Sequence, residues 1–174
     1  TIITGFFLLI TISQIRSQDA IFTLEDVTAG TGSSFYMDVN AENLMNLNAL
    51  EFSINWDETT LELISIDGLN ANFTGANINT SGSSAGFSTF SFSLVAPEVV
   101  IIPDGGLFFR MNFVVVGAGG SSTKVDFTGT PTSTNIMAII NGMFTPIDLV
   151  TQGGEVTIPT PLIFTMPDEI YAPG

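Results

Sequence analysis

Apolar side chains recur at every second position in this chain, and a two-residue period is the signature of strands with one buried face. Leu50, Phe52, Ile54 and Trp56 alternate with Ala49, Glu51, Ser53 and Asn55, so this segment turns one row toward a core and the other away from it. Phe90, Phe92 and Leu94 alternate with Thr89, Ser91 and Ser93 in the same way, as do Leu107, Phe109, Met111 and Phe113 with Phe108, Arg110 and Asn112. Helical periodicity is nowhere sustained. Further strands are predicted over 20–26, 34–41, 61–67, 72–79, 123–129, 136–140, 143–147 and 154–158. Between them lie turn sequences: Gly30-Thr31-Gly32, Asp67-Gly68, Asp104-Gly105-Gly106, Gly117 to Gly120, and Asn141-Gly142. The last of these favours a two-residue hairpin, because both residues tolerate positive φ. Many short strands at such spacing predict an all-β sandwich.

The flanks read differently from this middle. Ile2 to Ile12 is an uncharged apolar run followed by Ser13, Gln14, Arg16, Ser17 and Gln18. It is too short to cross a bilayer, which takes about 20 apolar residues, but it fits the hydrophobic region of a secretory signal peptide. Residues 1–18 are therefore expected to be a partial signal peptide, cut near Ser17 to Asp19, although Arg16 beside the cut also suits an uncleaved amphipathic leader. At the other end, Pro159 and Pro161 make 159–162 a short stiff linker, since proline fixes φ and cannot join a sheet ladder. Beyond it, Ile163-Phe164-Thr165-Met166 and Ile170-Tyr171-Ala172-Pro173-Gly174 echo Ile21-Phe22-Thr23-Leu24 and Val27-Thr28-Ala29-Gly30. An echo about 140 residues away has the period of a whole domain, so 163–174 is expected to start a second similar repeat after a domain spanning 19–158.

A domain of that size buries about two thirds of its unfolded surface around one core. It does so without cysteine, so an exported chain of this kind relies on its core and not on disulfides. Seventeen acidic residues face only Arg16, Arg110 and Lys124, for a net charge of −14. Nucleic acid and anionic lipid both need clustered Lys and Arg, so neither is an expected partner, and no membrane insertion is expected after signal cleavage. A neutral polysaccharide or a partner with basic patches remains compatible.

Three segments resemble one family. Phe52-Ser53-Ile54-Asn55-Trp56-Asp57-Glu58-Thr59-Thr60-Leu61-Glu62-Leu63 is similar to the cohesin signature, in which a strand ends in aromatic-Asp, turns tightly and resumes as apolar-Glu-apolar. The segment also makes physical sense by itself: Asp57 can cap the turn with its own side chain, and Trp56 and Leu61 can plug the sandwich edge. Asp104-Gly105-Gly106-Leu107-Phe108-Phe109-Arg110-Met111-Asn112-Phe113 looks like the Asp-Gly turn entering a long late strand, and Gly153-Gly154-Glu155-Val156-Thr157-Ile158 like the closing strand. The three stand in the family's order over residues 20–158.

That resemblance implies a nine-stranded jelly-roll β-sandwich, related in fold to carbohydrate-binding modules. It implies no catalysis, and a dockerin module as partner in polysaccharide-degrading assemblies at a bacterial surface or in the medium. The family's partner face includes the outward row of the strand entering the aromatic-Asp turn, here Ala49, Glu51, Ser53 and Asn55. The acidic position of better-known cohesins falls on Glu51, whereas the neighbouring Asn position holds Ala49, a departure from the pattern. The row Thr89, Ser91 and Ser93 is expected beside it.

Other chemistry finds little support. Without His or Cys there is no Ser-His-Asp or Cys-His nucleophile and no zinc site built on those ligands. Glycoside hydrolysis needs two carboxyl groups across a cleft, but Asp57 and Glu58 adjoin in a turn while Glu51 and Glu62 fall on different strands. No D-x-D-x-D-G calcium loop occurs, so neither metal nor cofactor is expected, although Asp57, Asp104 or Asp67 could each hold a cation in so acidic a domain. Asn72-Phe73-Thr74 and Asn79-Thr80-Ser81 match the glycosylation sequon, which has meaning only in a eukaryotic secretory pathway. Sugar platforms favour exposed Trp or Tyr. Trp56 is in phase with the core and Tyr36 lies within a predicted strand, which leaves Phe108 and Phe87 as the aromatics expected to point outward. Two rival readings therefore stand beside the scaffold module: a carbohydrate-binding module, and a structural spacer in a repetitive surface adhesin.

Overall fold

A computed structural model describes residues 19–162. The chain forms β1 (Ala20–Leu24), β2 (Val27–Thr28), β3 (Ser34–Glu42), β4 (Leu47–Trp56), β5 (Leu61–Asp67), β6 (Asn77–Asn79) and β7 (Phe87–Ser93). It continues with β8 (Gly106–Val115), β9 (Ser121–Thr128), β10 (Asn135–Ile140), β11 (Met143–Pro146), β12 (Leu149–Gln152) and β13 (Gly154–Ile158). Two sheets stack as a sandwich. One has the order β12-β1-β3-β8-β5. The other is built around β4, which pairs with β7 and then β6 on one side and shares its other side between β10 and β9. From there β11 extends β10, and β13 and β2 extend β9.

The described residues thus hold more strands than the nine the resemblance implies. The additions are short: β2, β6, β11 and β12 have two to four residues each. One of them arises because the predicted strand 20–26 does not stay in one sheet. After Leu24 the chain crosses to the opposite sheet, and Asp26 fixes the crossing by accepting a 2.8 Å hydrogen bond from the Glu155 amide. Its end-mate crosses likewise, β12 lying in the first sheet and β13 in the second. Both pairs formed this way are parallel, β1 with β12 and β2 with β13.

Phenylalanine dominates the interior. Phe22, Phe52, Phe73, Phe90, Phe108 and Phe109 are fully buried, with ring centroids 4.6 Å apart for Phe73 and Phe108 and 5.2 Å for Phe22 and Phe108. Each ring contributes roughly 1.5–3 kcal/mol through the apolar surface it removes from water.

Two expectations fail here, each for a local reason. The segment 72–79 is not one strand. Asn70 accepts a hydrogen bond from the Asn72 amide at 3.1 Å and starts a 3₁₀ turn, Ala71–Phe73, which drops Phe73 into the core before β6 begins. Phe108 does not point outward. The β3–β8 register slips between Val39 and Asn40, which face Phe109 and Leu107, so Phe108 is the extra residue of a bulge. A bulge rotates its residue out of the alternation, and both Phe108 and Phe109 turn inward. Phe87, the other aromatic expected outside, is half-buried against the turn at Gly82, where a Cβ would lie 2.1 Å from its ring.

Turn chemistry follows the sequence closely. Asn141 and Gly142 take φ of 52° and 78°, as the tight β10–β11 hairpin requires. Asp57 closes the β4–β5 turn with one oxygen on the Thr59 amide (2.9 Å) and Thr59 hydroxyl (2.6 Å) and the other on the Thr60 hydroxyl (2.9 Å). These bonds, the Thr59 hydroxyl first, hold its carboxyl below the usual value of 3.8. Trp56 and Leu61 flank this turn and are both buried.

Candidate partner-binding face

Strand β4 carries its outward row across the middle of the larger sheet. Glu51 sits opposite Ser91 of β7 on one side and Asn135 of β10 on the other, and Ser91 in turn faces Asn77 of β6. This gives a line of four polar residues, Asn77-Ser91-Glu51-Asn135, perpendicular to the strands. Glu51, Asn77 and Asn135 are exposed, and a shallow concavity of about 260 Å³ opens over them. Among the described residues, no side-chain hydrogen bond or ion pair engages the Glu51 carboxylate. Its acceptor capacity is free for a partner.

One step along β4, Ala49 is flanked by Ser93 and by Met137, and Met137 by Pro146. Two residues further along β10, Ile139 faces Phe144, which is 58 % exposed. The polar line therefore borders an apolar strip of Ala49, Met137, Ile139 and Phe144. Sequence reasoning placed Ala49 on this face but missed Asn77, Asn135 and the rest of the strip. The signal was there in the Asn141-Gly142 hairpin, which pairs Ile139 with Phe144 once its register is fixed.

The other expected residues divide. Thr89, Ser91 and Ser93 all lie on β7 directly beside β4, as the alternation requires, with Ser93 exposed and the others half-buried. Ser53 corrects the expectation. It belongs to the outward row, yet it is completely buried, because the segment after β9 folds over it. Its hydroxyl donates to the Thr132 carbonyl at 3.0 Å and accepts from the Thr132 amide at 2.9 Å. Asn55 is half-buried and accepts a hydrogen bond from the Thr128 hydroxyl. Glu51 is the exposed member of the row, Ala49 and Asn55 are half-buried, and Ser53 alone is closed over.

Chemically, the face offers one carboxylate, hydroxyls, amides and an apolar margin on a flat sheet. Among the described residues, no second carboxylate lines the concavity with Glu51, as acid–base chemistry on a glycoside would require. Among the described residues, no group of three or more Asp and Glu side chains converges as a metal site needs. None of the described helices is long and apolar enough to cross a membrane.

A sequence model of the cohesin domain matches residues 21–145, well over half of the chain. This chain belongs to the cohesin family. Solved cohesins share the fold at low identity. The seventh ScaB type I cohesin of Pseudobacteroides cellulosolvens is 18 % identical, covering 88 % of this chain and 97 % of its own at a TM-score of 0.67. The sixth cohesin of Acetivibrio cellulolyticus scaffoldin B, solved in complex with a mutant Cel5 dockerin, is 22 % identical with coverages of 81 % and 99 % and a TM-score of 0.65. A non-cellulosomal cohesin from the archaeon Archaeoglobus fulgidus is 16 % identical, with coverages of 82 % and 93 % and a TM-score of 0.61. No curated protein sequence matches the chain. In this cohesin domain, then, the outward face around Glu51 combines exposure with free polar groups.

Proposed function

We propose that this cohesin domain is a non-catalytic docking module of a secreted or cell-surface multidomain protein, and that it captures a dockerin-type partner on the outward face of β6, β7, β4 and β10. The observation that carries the reading is the exposed, unpaired Glu51 at the centre of the polar line, bordered by the strip from Ala49 to Phe144. An apolar patch with a few oriented polar groups is what a specific protein interface needs: the first excludes water and the second sets register. Family membership supports the same reading, as does the dockerin seated on the Acetivibrio cellulolyticus relative. Ala49 in place of the family's Asn removes one polar contact and extends the apolar strip, so the partner is expected to present an apolar side chain there.

The test is a pull-down from the source organism's secreted proteins with the full chain and its Glu51→Arg and Phe144→Asp variants. Capture of a dockerin-bearing protein by the parent, weakened at least about tenfold by either substitution, is the expected result. Undiminished capture by both variants would place the interface elsewhere.

A further inference from the structure

The opposite side of the sandwich carries a second organised surface. On the outer face of the five-stranded sheet, Tyr36 of β3, Asn112 of β8 and Ser65 of β5 lie in one cross-strand row, and Asp38, Arg110 and Asp67 lie in the next. The sequence placed Tyr36 inside a strand and gave it no ligand role. Its neighbours Met37, Val39 and Ala41 take the inward positions, so Tyr36 faces out and is 54 % exposed.

These side chains are held by one another. Arg110 Nε donates to Asp38 Oδ1 at 2.6 Å and its Nη2 to Asp38 Oδ2 at 2.9 Å, a bidentate pair that fixes the guanidinium plane. The guanidinium carbon lies 3.8 Å from the centroid of the Tyr36 ring and steadies the ring in turn. Asn112 Nδ2 donates to Ser65 Oγ at 3.1 Å and to Asp67 Oδ2 at 2.8 Å. Beside this network Tyr36 and Ile64, the latter 58 % exposed, line a depression of about 230 Å³ together with Ser34 and Asn112.

We propose that this face, centred on Tyr36 and Arg110, binds a neutral saccharide. A sugar ring presents apolar C–H faces and hydroxyls that both donate and accept. The surface matches both: Tyr36 lines the depression as an aromatic ring held in place, Asn112 lines it with a spare acceptor, and Arg110 and Asp67 stand outside it with spare donors and acceptors. The depression is smaller than the roughly 300–1,000 Å³ clefts of drug-sized ligands, a size suited to one or two sugar rings. Asp38, Asp67 and Glu62 outnumber Arg110 on this face, so an anionic saccharide is repelled. A protein partner fits poorly, because Tyr36, Ile64 and Val116 are too few to supply the apolar centre of an interface burying about 800 Å² per side. A second copy of a chain with net charge −14 fits worse. The proposal does not depend on the partner reading of the other face, and the two surfaces can be occupied together.

The experiment is affinity electrophoresis of the full chain through gels containing xyloglucan, mixed-linkage β-glucan, galactomannan or polygalacturonate. Chemical-shift mapping with cellohexaose runs beside it. Retardation by at least one neutral polymer and none by polygalacturonate is expected, with shifts confined to residues near Tyr36, Ile64 and Arg110. Tyr36→Ala should weaken the binding at least about tenfold and Tyr36→Trp should keep it. Ile64→Asp, at an equally exposed position, should reproduce the loss if Tyr36→Ala proves unstable. No retardation by any neutral polymer overturns the proposal, as does retardation indifferent to both substitutions. Loss of protein capture in Tyr36→Ala with no sugar binding by the parent would assign this face to a protein instead. Pull-down by the Glu51 face reads out separately, so failure of one reading leaves the other measurable.

Discussion

Replacing Ser53 by alanine separates a folding role from a binding role. The hydroxyl makes two hydrogen bonds to Thr132, one to the carbonyl and one from the amide, at a position from which water is excluded. Each such bond contributes about 1 kcal/mol net, and leaving the Thr132 amide without its partner adds part of a desolvation penalty of about 1–3 kcal/mol. The sum is about 2–3 kcal/mol, equivalent to a fall in Tm of roughly 5–10 °C for a domain of this size. Urea unfolding followed by fluorescence suits the measurement, because Trp56 is the single tryptophan and is buried beside the end of β4. The midpoint should fall with the slope unchanged, and partner capture should persist at temperatures where the variant is folded. A stability within about 0.5 kcal/mol of the parent, the range of an ordinary surface substitution, would refute the reasoning, the more so if capture were lost. Ser91→Ala, beside Glu51 on the neighbouring strand, is the matched control and should do the reverse.

Phe108→Ala should cost about 3–5 kcal/mol in the same unfolding assay, because the ring is wholly buried among Phe22, Phe52, Phe73, Phe90 and Phe109. A loss under about 1 kcal/mol would mean that the bulge does not turn Phe108 inward. Asp57→Asn should lower Tm at neutral pH by removing charge-assisted bonds to Thr59 and Thr60. The folded carboxyl titrates below its unfolded value of 3.8, so its stabilisation is present above that value and is lost as the pH falls through the folded one. Thermal melts of parent and variant should therefore converge in acid; a gap that widened instead would contradict the turn assignment.

The parts of this fold legible in sequence are those where alternation runs unbroken and one face is strictly apolar. β4 reads correctly at Leu50, Phe52, Ile54 and Trp56, and from it the position of Glu51 follows. Alternation gives direction only. It says that Ser53 points away from the sandwich core, and it cannot say that the chain returns some eighty residues later to cover it. Phe108 was hidden for a different reason: a bulge breaks the period, and two adjacent phenylalanines read the same whether one or both point inward. The stretch 72–79 looked like a strand because Phe73 and Ile78 are apolar, while the Asn70 side chain that makes the 3₁₀ turn is a local capping effect that periodicity ignores. Tyr36 was within reach, since counting by twos from Met37 and Val39 puts it outside. The Asn141-Gly142 hairpin already sets Ile139 opposite Phe144, but placing that apolar margin beside Ala49 needed the β4–β10 pairing, which local sequence does not carry.

The parallel pairing of the two end segments bears on how the domain carries force. β1 runs beside β12 in the same direction, and β2 beside β13, so the chain enters at one end of the sandwich and leaves at the other. Tension between Asp19 and Ile158 draws the first segment backward and the last one forward along a common axis. The ladder bonds, lying across that axis, are then strained side by side and must yield together, whereas an antiparallel end pair would peel open one bond at a time. A module pulled from both ends gains from that arrangement without a single added contact.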